Sequence, residues 1–327
     1  MEAIQVGEFG GPDVMVWSDL AAREPDSGEL LVQVAAAGVN FIDTYHRTGL
    51  YPLDLPFTPG IEGAGVVVSV GNDVEGFSQG DRVAWTSRPG AYATTATIPV
   101  QDAVRLPEEV SFDDAAALLL QGITAHYLAT STWPLEPGQR CLVHAGAGGV
   151  GGLLIQIAKL RGAEVIATAG GPEKVAIATE AGADHVIDYA TEDFVAGVER
   201  IAGSRPLDVI YDGVGAATVQ RGLALLRPRG LMAAFGNASG PVPPIDILDL
   251  SRNGALYITR PNTGGYLRTQ EERSERIDDL LRWLAEGKLQ LRIGARYPMA
   301  EAATAHRALE GRQTTGKVLL LPEVPVT

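Results

Sequence analysis

The segment Cys141-Leu-Val-His-Ala-Gly146-Ala-Gly148-Gly149-Val150-Gly151-Gly-Leu-Leu-Ile-Gln-Ile-Ala-Lys159 leaves this chain few folds to choose from. Residues 141–144 are a short apolar run that predicts a strand. Gly146, Gly148 and Gly151 follow with the spacing G-x-G-x-x-G, and Leu153, Leu154, Ile157 and Leu160 then share one face of a predicted helix. Between a strand and a helix, that spacing says far more than it does alone. The glycines permit a tight turn and let backbone N–H groups approach a pyrophosphate, whose charge then faces the positive end of the helix. The segment predicts dinucleotide binding by Gly146, Gly148, Gly149, Val150 and Gly151.

The surrounding sequence supplies a sheet for that loop. Candidate strands at 141–144, 164–167, 185–187, 209–211, 231–235 and 256–259 alternate, in the early part, with helical patterns at 152–161, 173–181 and 191–201. Such alternation predicts an α/β fold with a doubly wound parallel sheet. Residues 1–120 read differently. Short apolar strands at 30–37, 63–70, 82–84 and 90–98, punctuated by Gly and Pro, predict a compact barrel-like β domain. Ser111 is a good N-cap, with Asp113 and Asp114 in the first turn of the helix it opens. Helical stretches are expected at 115–120 and 122–130, and an amphipathic helix at 271–287. The apolar tail 316–321 is expected to return to the first domain as a strand.

Bulk properties narrow the function. A chain of 327 residues is long enough for about two domains. Its formal net charge of −14 repels phosphate backbones, so no nucleic-acid partner is expected. One cysteine rules out an intrachain disulfide and a Cys-rich zinc site, and Cys141 reads as a small buried hydrophobe. The N-terminal residues show no basic and apolar signal pattern, and no apolar run approaches about 18 residues. No membrane partner is expected, and a cytoplasmic location is.

The second strand of the sheet indicates which dinucleotide binds. NAD-preferring sheets place an acid at that strand's end, about 20 residues beyond the glycine loop. Here residues 164–168 run into Ala169-Gly170-Gly171-Pro-Glu-Lys174, with no carboxylate at the tip and a lysine one step into the next helix. A missing anion and an added cation suit a 2′-phosphate, and Gly170 and Gly171 let the backbone come close to it. NADPH is therefore the expected cofactor. No Ser-His-Asp or G-x-S-x-G pattern is present, and no residue stands out as a general acid or base.

Further ordered motifs carry a family resemblance that runs nearly end to end. They are Gly10-Gly-Pro-Asp-Val14, Ala37-Gly-Val-Asn-Phe-Ile-Asp-Thr-Tyr45, Arg47-Thr-Gly-Leu-Tyr-Pro52, Pro59-Gly-Ile-Glu-Gly-Ala-Gly65, Gly80-Asp-Arg-Val83, Tyr211-Asp-Gly-Val-Gly215, Phe235-Gly-Asn237 and Thr259-Arg-Pro261. With the glycine loop, they make the chain resemble the zinc-independent quinone oxidoreductases, the ζ-crystallin-like group of the medium-chain dehydrogenase/reductase superfamily. The resemblance implies a GroES-like catalytic domain from residues 1–122 and 264–327, and a central Rossmann domain over 123–263. It places the substrate between them, and a homodimer contact at the edge strand 256–259. It also implies a reaction without metal, because Asn40 and Ile61 stand where zinc relatives place ligands.

Site residues follow from the same resemblance. Asn40, Tyr45 and Tyr51, in one loop after a predicted strand, are expected to line the catalytic cleft, offering aromatic walls and neutral donors to a developing oxyanion. Lys174 and Tyr189 are expected to hold the 2′-phosphate. Asn40, Thr124, Tyr127, Gly213, Phe235, Gly236, Asn237, Arg260 and Lys317 complete the expected cofactor contacts. The implied activity is quinone reduction by NADPH. The alternatives are reduction of activated C=C bonds, in enones or enoyl thioesters, and a non-catalytic NADPH-binding role.

Overall fold

The computed structural model describes residues 1–323. Its backbone forms two compact units, Met1–Leu120 with the described residues from Leu291 onward, and Gln121–Gln290. Strand Glu29–Val39 is the axis of the first. It pairs antiparallel with Glu62–Val70, Thr95–Pro99 and Lys317–Leu321. Its side chains alternate between faces, as a strand requires, so that Leu30, Val32 and Val34 are wholly buried. Arg82–Thr86 and Ala103–Arg105 extend the sheet on one side, and Ile293–Pro298 lies parallel to Lys317–Leu321 on the other. Ile4, Val67, Val83, Trp85, Tyr92, Ile98 and Leu320 fill the core between these strands. The tail strand therefore does return to the β-rich unit.

Two local readings are corrected here. Asn40, Tyr45 and Tyr51 do not share an irregular loop: Phe41–Thr48 is a helix with Asn40 at its N-cap and Gly49, at φ 78°, closing it. The Asn40 N–H donates to Asp43 Oδ2 at 2.8 Å, one arm of a capping box that starts the helix. Secondly, the stretches at 115–120 and 122–130 belong to one helix, Phe112–Tyr127, followed by a wider turn at Leu128–Thr132. Its N-cap is as expected, with Ser111 Oγ accepting the Asp114 N–H at 3.0 Å.

The second unit is a six-stranded, all-parallel sheet in the order His185–Asp188, Glu164–Ala169, Arg140–Val143, Leu207–Asp212, Leu226–Ala234, Tyr257–Thr259. Chain order reverses between Arg140–Val143 and Leu207–Asp212. In open parallel sheets, that switch point is where ligands sit, beyond the carboxyl ends of the strands. Gly149–Leu160, Pro172–Glu180 and Phe194–Ala202 are the helices between the early strands. Leu142, Ile166, Ile187, Ile210 and Met232 pack in the core beneath them.

Helix Gln270–Ala285 falls in this second unit, not in the first as its sequence position suggested. Its inner face explains why. Arg276 Nη1 and Asp279 Oδ2 hold the two ring nitrogens of His126 at 3.2 and 3.0 Å, and Trp283 stacks on that ring at 5.4 Å. No helix of the described residues is long and apolar enough to cross a membrane.

Candidate functional site

The glycine loop joins strand Arg140–Val143 to helix Gly149–Leu160, and each of its three motif glycines meets a different constraint. A Cβ on Gly146 would press on Ala167 Cβ and Ile155 Cδ1 at 3.0 Å, so this glycine lets strand and helix pack. A Cβ on Gly151 would enter the Ala145 carbonyl oxygen, so this one lets the helix start close to the turn. A Cβ on Gly148 would meet only that same oxygen, at 3.2 Å. The protein itself scarcely needs a glycine at 148, and the backbone there is open. Gly148 is the helix N-cap and uses no side chain to satisfy the first turn. The N–H groups of Gly149, Val150 and Gly151 therefore stand at a helix N-terminus suited to an anion.

Thr168 fixes the entry to this loop. Its carbonyl accepts the Gly146 N–H at 2.8 Å, and its hydroxyl accepts that of Ala145 at 3.3 Å. Ala145 has φ 56°, unusual for a residue with a side chain, and these bonds hold it there. The Thr168 hydroxyl also shares a hydrogen bond with His144 Nδ1 at 3.0 Å. Nε2 faces Asp212 Oδ2 at 3.9 Å, both atoms wholly buried. Burial outweighs the neighbouring carboxylate and lowers the His144 pKa. Asp212 Oδ1 meanwhile accepts the N–H groups of Val214 and Gly215 at 2.7 and 2.8 Å. One buried set of side chains thus shapes both loops at the switch point. Thr168 and Asp212 were not singled out from the sequence, although Asp212 lies inside the Tyr211–Gly215 motif.

The second strand ends as the sequence predicts. Gly171, at φ 84°, turns the chain into helix Pro172–Glu180, which carries half-buried Lys174 in its first turn. Tyr189 lies against Gly170, where a Cβ would strike its ring at 2.6 Å. The tyrosine is 45% exposed, so it offers a face to a ligand. Of the carboxylates nearby, Asp188 accepts the N–H groups of Gly171 and Ala190 at 2.8 and 3.0 Å, and Glu173 stands exposed beside Lys174 in the first turn of the helix.

Gly213 and Phe235-Gly236-Asn237 come together at the neighbouring strand ends. Phe235 N–H donates to the Asp212 carbonyl at 2.8 Å, and the Phe235 ring fills the space that a Cβ on Gly213 would take. Arg260 grips this loop from behind. Its Nη1 donates to the carbonyls of Ala234 and Gly236 at 2.8 Å each, and its Nη2 reaches the Asn237 amide oxygen at 3.0 Å. Arg260 therefore shapes the loop. Thr124 and Tyr127 are buried, at 8% and 2% exposure. Tyr127 stacks on Tyr266 with ring centroids 4.4 Å apart, and burial pushes its hydroxyl up to about 12. Cys141 is also buried, and burial pushes its thiol up to about 12, unsuited to nucleophilic work.

The first unit gathers Asn40, Tyr45 and Tyr51 around helix Phe41–Thr48. The Tyr45 and Tyr51 rings meet edge to face at 5.3 Å, and Tyr51 is 38% exposed beside exposed Leu50 and Leu55. Asn40 lies below, 6% exposed. Its Nδ2 donates to Gly38 O at 3.1 Å and Glu62 Oε2 at 3.0 Å, and its Oδ1 accepts from Lys317 Nζ at 2.8 Å. Both amide protons are thereby used, so Asn40 is not the neutral donor that its sequence position suggested. Lys317, expected among the cofactor contacts, is 1% exposed and paired with Glu62. Asp43, fully buried, accepts from Asn40 N, Ile61 N and Tyr92 Oη. The chain of contacts continues through His306, Arg47 and Glu310.

A parallel dinucleotide sheet and a separate β unit that presents an aromatic cluster define a medium-chain dehydrogenase/reductase. Residues 26–108 match the alcohol dehydrogenase GroES-like domain, and residues 149–286 match the zinc-binding dehydrogenase family. A quinone oxidoreductase of Pseudomonas aeruginosa is 42% identical over 98% of this chain and 99% of its own. A 2-haloacrylate reductase of a Burkholderia species is 40% identical over 98% and 99%. The structure of Escherichia coli quinone oxidoreductase complexed with NADPH superimposes with a TM-score of 0.96 at 40% identity, covering 98% of this chain and all of that one. The chain belongs to the quinone oxidoreductase family of the medium-chain dehydrogenase/reductase superfamily. The zinc in the matched family's name does not fit these residues. Ile61 has no donor atom, the Asn40 amide is engaged by Lys317 and Glu62, and among the described residues no three His, Cys, Asp or Glu side chains group to hold a metal.

Proposed function

We propose that this protein reduces quinones with NADPH. The observation that carries the reading is the second-strand terminus: Gly170, Gly171, Lys174 and Tyr189 stand where an NAD-selective acid would be, and the Asp188 carboxylate beside them is engaged by backbone. The cradle at Gly148 and the N–H groups of Gly149, Val150 and Gly151 would hold the pyrophosphate, and Lys174 with Tyr189 the 2′-phosphate. The loop Phe235–Asn237, stiffened by Arg260, offers backbone groups to the carboxamide. Bound NADPH supplies a hydride. In the first unit Tyr45 and Tyr51 provide aromatic walls for a planar acceptor and hydroxyl donors for its oxygen. The proton that completes the hydroquinone comes from solvent, since no described side chain on this surface is set up as a general acid.

The 2-haloacrylate reductase at 40% identity supports a second reading, reduction of an activated C=C bond. An acceptor panel separates the two. NADPH oxidation driven by 1,4-benzoquinone and 9,10-phenanthrenequinone, and weakly or not at all by an enone or 2-chloroacrylate, supports the quinone reading; turnover with the alkenes alone replaces it. We also propose a cytoplasmic homodimer, joined through the edge strand Tyr257–Thr259. Tyr257 and Ile258 there are 58% and 36% exposed, and the nearby helix Ile247–Arg252 buries none of its residues.

A further inference from the structure

We propose that Lys317 and Glu62 are a buried positioning pair, which fixes the Asn40 carboxamide, the N-cap of helix Phe41–Thr48, in one orientation. The reading of function above is assumed only for the activity arm of the test. Lysine can only donate, so its contact identifies the Asn40 atom it meets as the oxygen. The amide nitrogen then has both protons directed away, to Gly38 O and Glu62 Oε2. The Asn40 side-chain oxygen also faces the Asp43 N–H in the capping box, so the orientation of the amide is tied to the start of the helix that carries Tyr45.

Four segments converge to build this clamp. Val318 stands opposite Val39 in the antiparallel pairing of Lys317–Leu321 with Glu29–Val39, which brings Lys317 beside Asn40. Glu62 opens the strand on the other side of Glu29–Val39, and its Oε1 is tied to the Leu120 N–H at 2.7 Å. Gly38 makes room for the pair. A Cβ there would lie 2.6 Å from both Glu62 Oε2 and Lys317 Cε, and 2.5 Å from Ala116 O. The carboxylate and the ammonium are 0% and 1% exposed and in direct contact.

Packing alone does not account for such a pair. Desolvating two charges costs several kcal/mol per ion, and well-packed apolar residues of similar volume usually stabilise a core as well or better. What an apolar pair would not do is hold an amide at both ends. The charges here meet the same side chain, one at its oxygen and one at its nitrogen, and misplacing a ligand-contacting group by about 1 Å can cost about a hundredfold in rate.

The test compares wild type with K317M/E62Q, which removes both charges together and strands neither, with N40A, and with the triple variant. Side-chain amide NMR of the wild type is expected to show the Asn40 NH2 protons exchanging slowly with water, and those of K317M/E62Q exchanging rapidly. With the thermal midpoint of K317M/E62Q at or above the wild-type value, kcat should fall about tenfold or more. N40A should fall comparably, and the triple variant no further than N40A, because all three changes act through one amide. Wild-type kcat and KM in K317M/E62Q, or losses that multiply with N40A, would overturn the proposal. Rapid exchange of the Asn40 protons in the wild type would overturn it without any variant. If the wild type does not reduce quinones, the proposed function fails, and the NMR comparison still decides this one.

Discussion

Asp43 is a carboxylate enclosed on all sides, and its titration is set by that enclosure. Burial is the largest effect and moves its pKa up to about 7, against the opposing pull of the Asn40 and Tyr92 hydrogen bonds. An unfolded aspartate titrates near 3.9, so between about pH 4 and 7 the folded state holds more protons than the unfolded one. This group's contribution to stability is therefore fully present below pH 4 and falls as pH rises to 7. Thermal midpoints of D43N should decline less than those of wild type between pH 5 and 8; an equal decline would show that Asp43 is ionised throughout. Two further substitutions test the site. K174A should weaken NADPH about tenfold more than NADH, the loss of one charge-assisted contact, and equal losses by fluorescence titration would remove its 2′-phosphate role. Y51A should raise KM for quinones several-fold and leave NADPH affinity almost unchanged. A selective loss of NADPH binding would instead place Tyr51 on the cofactor. The roles of Lys317 and Glu62 were not legible in the sequence, because nothing local joins positions 40, 62 and 317.

At the scale of elements, the glycine loop separates residues required by the fold from those required by a ligand. G151A forces a methyl group into the Ala145 carbonyl and should lower stability by about 2 kcal/mol. G148A meets only one oxygen, at 3.2 Å, and should keep its thermal midpoint while NADPH binding weakens. If both variants merely unfold, the cradle at Gly148 is structural. This loop could be read in advance because strand, turn and helix are contiguous and each glycine acts within a few residues. Helix Phe41–Thr48 could not be read as easily: its apolar pattern is short, and its start depends on the Asn40–Asp43 capping interaction. The long helix Phe112–Tyr127 was split in the reading at Gly122, a residue that tertiary packing tolerates mid-helix.

For the whole molecule, the alternation of strands and helices predicted the parallel sheet, the short strands punctuated by Gly and Pro predicted the β-rich unit, and the apolar run 316–321 predicted the returning tail strand, since patterning of that kind is spread over many residues. The second boundary was misplaced because an amphipathic helix does not show which core it covers. His126, buried far away in sequence, decides that for Gln270–Ala285. At the sheet edge, I258K should convert a dimer to a monomer by sedimentation, and an unchanged mass would move the interface elsewhere. The central claim is tested most directly by NADPH and NADH oxidation, run in parallel with 1,4-benzoquinone after prolonged chelator treatment. Undiminished turnover with preference for NADPH is the predicted result. Loss of activity restored by zinc, or equal use of both dinucleotides, would contradict it.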